Sequence, residues 1–467
     1  MHKKLLLFLS FIPATFFAQA VSLDPTLVGG TSFNNAATEI IAMPDGKILV
    51  GGWFTGYNGT TVNRLAKLNS DGSLDLSFNT GTAVSNGGDV NEILVLPDGK
   101  IIVAGSFNYF NGLSKNNIVK LLPTGELDTS FESALPQSYL NAVALQSDGK
   151  LLIGGNTNKR LNRLNVDGTI DASFNVGTGF DAPVHSLAVQ NDGKILVGGY
   201  FTSFNNTEAN YIIRLNSDGT RDTSFSIGTG LFHKATLTPQ VKKIIVLDNG
   251  KILIAGQFVS YNGTLSKSLI RLEANGNMDT SFNIGAGFAT SATAVGIIAA
   301  VKVQPDGKYL IGGTFNQCDN QNHKSIVRLN VDGSIDPSIN FGSGFDITVR
   351  AIDIQVDGKT LILGDFSSYN GDSVRRLARL QTDLLSTDEF AESKKVIVYP
   401  NPCKDFVSLD YEGGNILGYS IVDLSGRTIQ SGNEHLTTIN TSNLASGNYI
   451  LMLKTDQSTV SKKLIVQ

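Results

Sequence analysis

At 467 residues the chain exceeds one ordinary core, so a large domain followed by a smaller one is the natural expectation. Glycine is abundant at 49 residues and charged residues are only 17%, below the usual share of about 25%, a balance that suits a turn-rich β protein. A formal net charge of -4 with no basic stripe gives no long-range attraction for nucleic acid or an anionic membrane, and neither is expected as a partner.

The first residues read as an address. Lys3 and Lys4 precede an apolar run from Leu5 to Phe17, and Ala18-Gln19-Ala20 offers the small residues a signal peptidase needs. Residues 1–20 are therefore predicted to be a secretory signal peptide, with cleavage after Ala20 or after Ala18. The run is shorter than the roughly 20 apolar residues of a membrane helix. No later segment reaches that length, so no transmembrane segment is expected after signal removal.

Residues 21–383 are organised around a repeated unit, seen in one copy as Asn191 to Phe201, NDGKILVGGYF. Its turn recurs at Asp45-Gly46-Lys47, Asp98-Gly99-Lys100, Asp148-Gly149-Lys150, Asp192-Gly193-Lys194, Asn249-Gly250-Lys251, Asp306-Gly307-Lys308 and Asp357-Gly358-Lys359. A fixed period in this range marks a repeat architecture. Each copy reads as two hairpins: Val184 to the Asn-Asp-Gly turn, then Lys194 to Phe201, then Tyr211-Ile212-Ile213-Arg214-Leu215, then Arg221-Asp222-Thr223-Ser224-Phe225. The continuous run Ile195-Leu196-Val197 predicts a strand buried on both faces, and Gly198-Gly199 a close approach of backbone.

Four antiparallel strands repeated radially make a β-propeller. The seventh repeat reaches Arg379 to Asp383 without its fourth strand, and a version of that strand stands alone near the start, Ser22 to Leu27. The expected fold is therefore all-β: a seven-bladed β-propeller closed by the N-terminal strand, followed by a small Ig-like β-sandwich. An open solenoid would need polar capping repeats, and none is visible. The motifs DGKILVGG and RLNxDGSxDxSF resemble the delta-60 repeat family, whose repeats imply a propeller.

Residues 384–394 read as a polar linker, and residues 395–467 as short period-two strands. Here Tyr399-Pro400-Asn401-Pro402, Asp423-Leu424-Ser425-Gly426-Arg427, Gly447-Asn448-Tyr449 and Lys462-Lys463-Leu464-Ile465-Val466 resemble the type A C-terminal sorting domain of the type IX secretion system. The resemblance implies recognition by the type IX secretion machinery, then removal of the domain or its joining to surface lipopolysaccharide. It also implies a secreted or outer-membrane-attached chain.

Ligand candidates are few. Trp53 is the only tryptophan, in a slot held elsewhere by Tyr200, Ser106, Gln257, Thr314 and Asp365. That variability suits a solvent-facing rim, where the ring could stack on a sugar, although burial against a loop is the simpler use. The long connection from Gly228 to Gln240, carrying Phe232, His233 and Lys234, is a second candidate ligand surface, since recognition tends to sit on loops held by a rigid frame.

Asn165-Val166-Asp167-Gly168 with Asp171 clusters oxygen donors, but its glycine falls too early for an EF-hand, so hairpin turns are expected, with calcium as the alternative. No other cofactor is expected. GTGF at Gly177 to Phe180 lacks the strand and helix flanks of a phosphate loop. Scattered histidines, with no HExxH, GxSxG or Cys-His pattern, identify no catalytic residue. Cys318 and Cys403 are too distant in sequence to suggest a disulfide. The leading expectation is a non-catalytic surface module that binds an extracellular glycan or protein. The alternatives are a carbohydrate-active or other hydrolytic propeller and a passive surface-layer component.

Overall fold

The computed structural model describes residues 18–27, 30, 32–85, 87–136, 138–233, 238–382, 396–411, 415–422, 428–433, 437–455 and 459–467. Most of the predicted signal peptide and the predicted linker lie outside these residues. The chain divides into two compact units, Met1–Thr382 and Asp383–Gln467, and every described element is a strand.

The first unit is a ring of seven blades. In the fourth, Val184–Val189 pairs with Ile195–Gly199, which pairs with Ile212–Leu215. The middle strand is buried along its whole length, as its unbroken apolar run requires. Its glycines are steric necessities: a Cβ on Gly198 would lie 2.5 Å from Val241 Cγ1 of the next blade, and one on Gly199 would lie 2.3 Å from Pro183 O. A buried apolar cluster joins each blade to the next. One of them joins Ile40, Val50 and Phe54 of the first blade to Leu361 and Leu363 of the seventh.

Closure follows the expected route. Val21, Ser22 and Leu23 pair antiparallel with Thr382, Gln381 and Leu380, while Gln19 and Ala20 pair in parallel with Ile339 and Asn340. Asp24 then accepts from Arg379 Nε at 2.6 Å and lies 2.9 Å from Lys359 Nζ. Arg379 also donates to Ser70 O of the first blade.

The expected fourth strand is shorter in the other blades. There it is a single antiparallel bridge, such as Leu68↔Leu74 or Leu215↔Arg221. An Asp-x-Ser turn ends it: Asp75 Oδ1 accepts from Ser77 N at 3.0 Å and Ser77 Oγ at 2.6 Å. The other oxygen of Asp75 meets Lys47 Nζ at 2.7 Å. The carboxylate thus satisfies turn and turn-lysine together, and pairing stops. Conversely, the segment after most middle strands forms a short ribbon such as Gly56–Tyr57 with Thr60–Thr61. In the short third repeat the chain passes from Leu151–Gly155 to Leu161–Leu164 with no ribbon between.

The second unit has two sheets. Val396–Tyr399, Phe406–Tyr411 and Thr438–Asn440 form one; Thr428–Gly432, Ile416–Val422, Gly447–Thr455 and Thr459–Val466 form the other. Val407, Leu409 and Ile439 from the first pack with Ile421, Leu451 and Leu464 from the second, making a β-sandwich.

Candidate functional site at the channel mouth

Seven inner strands line the axis of the ring, and each carries a register shift at its second or third residue. The shift is a β-bulge, which re-aims side chains that strict alternation would send to opposite faces. Here two consecutive residues line the axial cavity in five of the blades, and one, Asn141 or His185, in the third and fourth. In the first three blades the leading residue of each pair ties the ring together: Thr38 Oγ1 donates to Val90 O at 3.0 Å, Asn91 Nδ2 to Leu140 O at 2.9 Å and Asn141 Nδ2 to Val184 O at 3.2 Å. The equivalent positions in the fourth to seventh blades carry His185, Lys242, Ala299 and Arg350, so both cations at these positions fall outside the three neutral blades.

These residues border a cavity of about 680 Å³ that runs down the channel, a volume in the usual range of small-ligand sites. Deeper in it, Lys302 Nζ meets Asp353 Oδ1 at 2.5 Å and Lys243 Nζ lies 4.0 Å from Glu39 Oε2. Burial pushes the Glu39 carboxyl above its usual range and the Glu92 carboxyl up to about 8, with Lys243 pulling both back down. Glu39 and Glu92 in turn raise the Lys243 ammonium. At the mouth, Arg350 is held in a two-point pair with Asp365, Nε to Oδ1 at 2.8 Å and Nη2 to Oδ2 at 2.7 Å.

Lys242 forms no ion pair among the described residues. Its Nζ donates to Tyr200 Oη at 3.3 Å and lies 5.4 Å from the ring centroid. His185 meets the same ring edge-on at 4.5 Å. Burial, aided by Lys242, lowers the His185 pKa to about 4, so its imidazole is neutral at pH 7.

Trp53 occupies in the first blade the slot that Tyr200 and Asp365 fill in the fourth and seventh, directly after the middle strand. Its N–H bonds Ala36 O, as Tyr200 N bonds Pro183 O and Asp365 N bonds Thr348 O. It is 48% exposed, so the simpler expectation of burial against a loop is not met. Tyr139, which precedes the inner strand of the third blade, is 37% exposed. The rim therefore carries accessible aromatic faces beside a basic mouth.

The Gly228 to Gln240 connection is built differently from the exposed loop anticipated. Leu231–Phe232 adds a strand to the ribbon of the fifth blade. Phe232 is 57% exposed, but the adjacent His233 is 3% exposed and presents little surface to a ligand. Lys234 lies outside the described residues. The connection between the fifth and sixth blades, Gly285 to Gly296, folds into a hairpin, Phe288–Ser291 with Ala294–Val295, on the sixth blade's ribbon. None of the channel-lining residues was a ligand candidate from sequence; His185 was one of the scattered histidines that no pattern marked.

The remaining motifs are spent locally. Asp167 Oδ1 accepts from Thr169 N and Oγ1, and Asp171 is shared by Lys150, Arg163 and Ser173. The glycine-rich connector at Gly177 wraps Asn205 Oδ1, which takes Thr178 N at 2.7 Å and Gly179 N at 3.2 Å. Among the described residues no three His, Cys, Asp or Glu side chains group as metal ligands. Cys318 and Cys403 are free and buried, and burial pushes the Cys318 thiol up to about 12.

In the second unit, motif residues separated by more than 60 positions meet along the last strand. Asn401 Oδ1 accepts from Ile465 N at 2.9 Å, Cys403 N donates to Ile465 O at 2.8 Å, and Gln467 N donates to Cys403 O at 2.9 Å. Gly447, Tyr449 and Leu451 pair with Val466, Leu464 and Lys462 on its other side. Tyr399, Pro400 and Pro402 lead into this clamp, Lys463 lies in the same strand opposite Ile450, and Asp423, Gly426 and Arg427 lie outside the described residues.

Residues 44–78, 96–131, 146–174, 190–225, 247–282, 304–338 and 355–384 match the family described as a domain of unknown function (DUF5122) beta-propeller, and residues 397–467 match the secretion system C-terminal sorting domain. No curated protein matches the chain. Similar solved structures include PorZ, a bacterial surface component of the type IX secretion system of Porphyromonas gingivalis, at 14% identity and TM-score 0.44 over 94% of this chain and 60% of that one. The extracellular domain of the hybrid two-component system BT3049 from B. thetaiotaomicron follows at 10% identity and TM-score 0.44, over 97% of this chain and 57% of that one. Virginiamycin B lyase from Staphylococcus aureus shares 14% identity at TM-score 0.43, over 78% of this chain and 100% of that one. This chain thus spans about three fifths of the first two. Among the described residues no helix is long and apolar enough to cross a membrane. The seven matched repeats and the matched tail place the chain in the DUF5122 β-propeller family, as type IX secretion cargo exported to the cell surface or the extracellular space.

Proposed function

We propose that the propeller is a non-catalytic module that binds an extracellular glycan through the mouth of its channel. One observation carries this reading: the repeated frame is near-identical from blade to blade, yet at the mouth it gives way to His185, Lys242 and Arg350 around an open cavity, with Trp53 half exposed at the rim. Aromatic faces and a small number of placed polar groups are what a saccharide needs for stacking and orientation. On this reading the C-terminal domain engages the type IX machinery and is then cleaved or joined to surface lipopolysaccharide, leaving the propeller outside the cell.

The test is a polysaccharide and protein array probed with the exported protein and with Trp53→Ala. Glycan binding weakened about tenfold by the substitution, as loss of a stacking aromatic anchor implies, supports the reading. Binding confined to proteins, or indifferent to Trp53, counts against it.

Glu39 and Glu92 favour a second reading, a hydrolase, because two carboxyls with raised pKa values on neighbouring blades of one cavity suit acid-base chemistry. Turnover of a bound glycan that Glu92→Gln abolishes would make that reading the better one.

A further inference from the structure

The cations in the channel are not equally engaged. Lys302 is neutralised by Asp353, Lys243 lies between Glu39 and Glu92, and Arg350 is occupied on two nitrogens by Asp365. Lys242 alone among these four faces the cavity without a carboxylate among the described residues, held only by the face and hydroxyl of Tyr200. Burial and the nearby Arg350 both press on its charged form, a penalty that an arriving anion would relieve.

The number of free charges limits the ligand. One ammonium, a phenol hydroxyl and a neutral imidazole match a singly charged, planar acceptor; a phosphate or sulfate group would want a second free cation or a nest of backbone N–H groups. Tyr139 and Trp53 on the same rim supply surfaces for an attached ring. We propose that the channel mouth takes the carboxylate of an acidic saccharide, a uronate, on Lys242 Nζ and Tyr200 Oη, with His185 and the rim aromatics holding the sugar. This rests on the glycan-binding reading above and specifies its chemistry.

Calorimetry on the full exported chain would use galacturonate, glucuronate and mannuronate trisaccharides, their methyl esters, and inorganic phosphate. At least one uronate binds, its ester binds at least tenfold more weakly, and the affinity falls as salt rises. Lys242→Met lowers uronate affinity at least tenfold. Tyr200→Phe, which keeps the ring under Lys242, lowers it several-fold and guards against a variant that merely misfolds. The proposal is overturned if acid and ester bind alike, if no uronate binds, if Lys242→Met binds normally, or if phosphate competes at equal affinity. Neutral glycans bound through Trp53 with Lys242→Met unaffected would remove the uronate while leaving the glycan-binding reading intact; absence of any glycan binding would remove both.

Discussion

Two sets of carboxylates in this chain are tuned in opposite directions, and each gives a pH signature. In the Asp-x-Ser turns burial alone would raise the acid, but Lys47 and Ser77 outweigh it and hold Asp75 at about 2; Lys100 and Ser130 do the same for Asp128. A depressed pKa contributes stability that is present above the unfolded value near 4 and lost as the pH falls through the folded value. Melting temperature should therefore drop between about pH 4 and pH 2 as the turns protonate. Glu92 is the reverse case: with its carboxyl pushed up to about 8, the folded protein holds a proton that the unfolded chain releases above about 4.5, so stability declines as the pH rises toward 8. Glu92→Gln should leave the melt unchanged at pH 5 and raise it by a few degrees at pH 9. Equal melts at both values would show that Glu92 titrates normally. The recurrence of the aspartates was plain in the sequence, but their cationic partners were not, because the lysine of each turn reads as an ordinary hairpin residue until the blade folds it back.

At the scale of the strand, the apolar runs and the paired glycines carried most of the information. Middle strands, their burial and the close approach at Gly198 were all legible, since a long apolar stretch flanked by turn residues has few other uses. Gly198→Val should cost about 1–3 kcal/mol, because the new side chain collides with Val241 across the blade interface. A thermal melt within 1 °C of the native protein would contradict that packing. The channel lining was not legible for the opposite reason. Alternation alone puts His185 and Ser186 on opposite faces; the bulge after Val184 changes the aim of both, and no local signal distinguishes a bulge from a regular strand. The outer strands were overestimated because Leu-Asp-x-Ser-Phe reads as extended, whereas the aspartate folds its own following turn.

For the molecule as a whole, closure was readable from a single missing piece, the absent fourth strand of the last repeat and its stray copy near the N-terminus. The structure puts Asp24 in the role played by Asp75 and its equivalents, with Arg379 continuing to Ser70 across the seam. Asp24→Ala removes the shared partner of two cations, one of them buried. Breaking such a pair costs about 3–5 kcal/mol, so the variant should melt several degrees lower and expose the seam around Leu380 to hydrogen exchange before any other blade. Uniform exchange around the ring would mean that the seam is no weaker than its neighbours.

Variable residues, Trp53, His185, Lys242 and Arg350 among them, gather at the mouth of this ring, and the ligand is expected there. Because Trp53 is the only tryptophan in the chain, its fluorescence reports that rim without a label. The decisive measurement is acrylamide quenching of the exported protein before and after saturation with a glycan selected on the array. Binding at the mouth predicts a shift of the emission to shorter wavelength and a clear fall in quenching. Saturation that leaves both unchanged would place the ligand elsewhere and contradict the account.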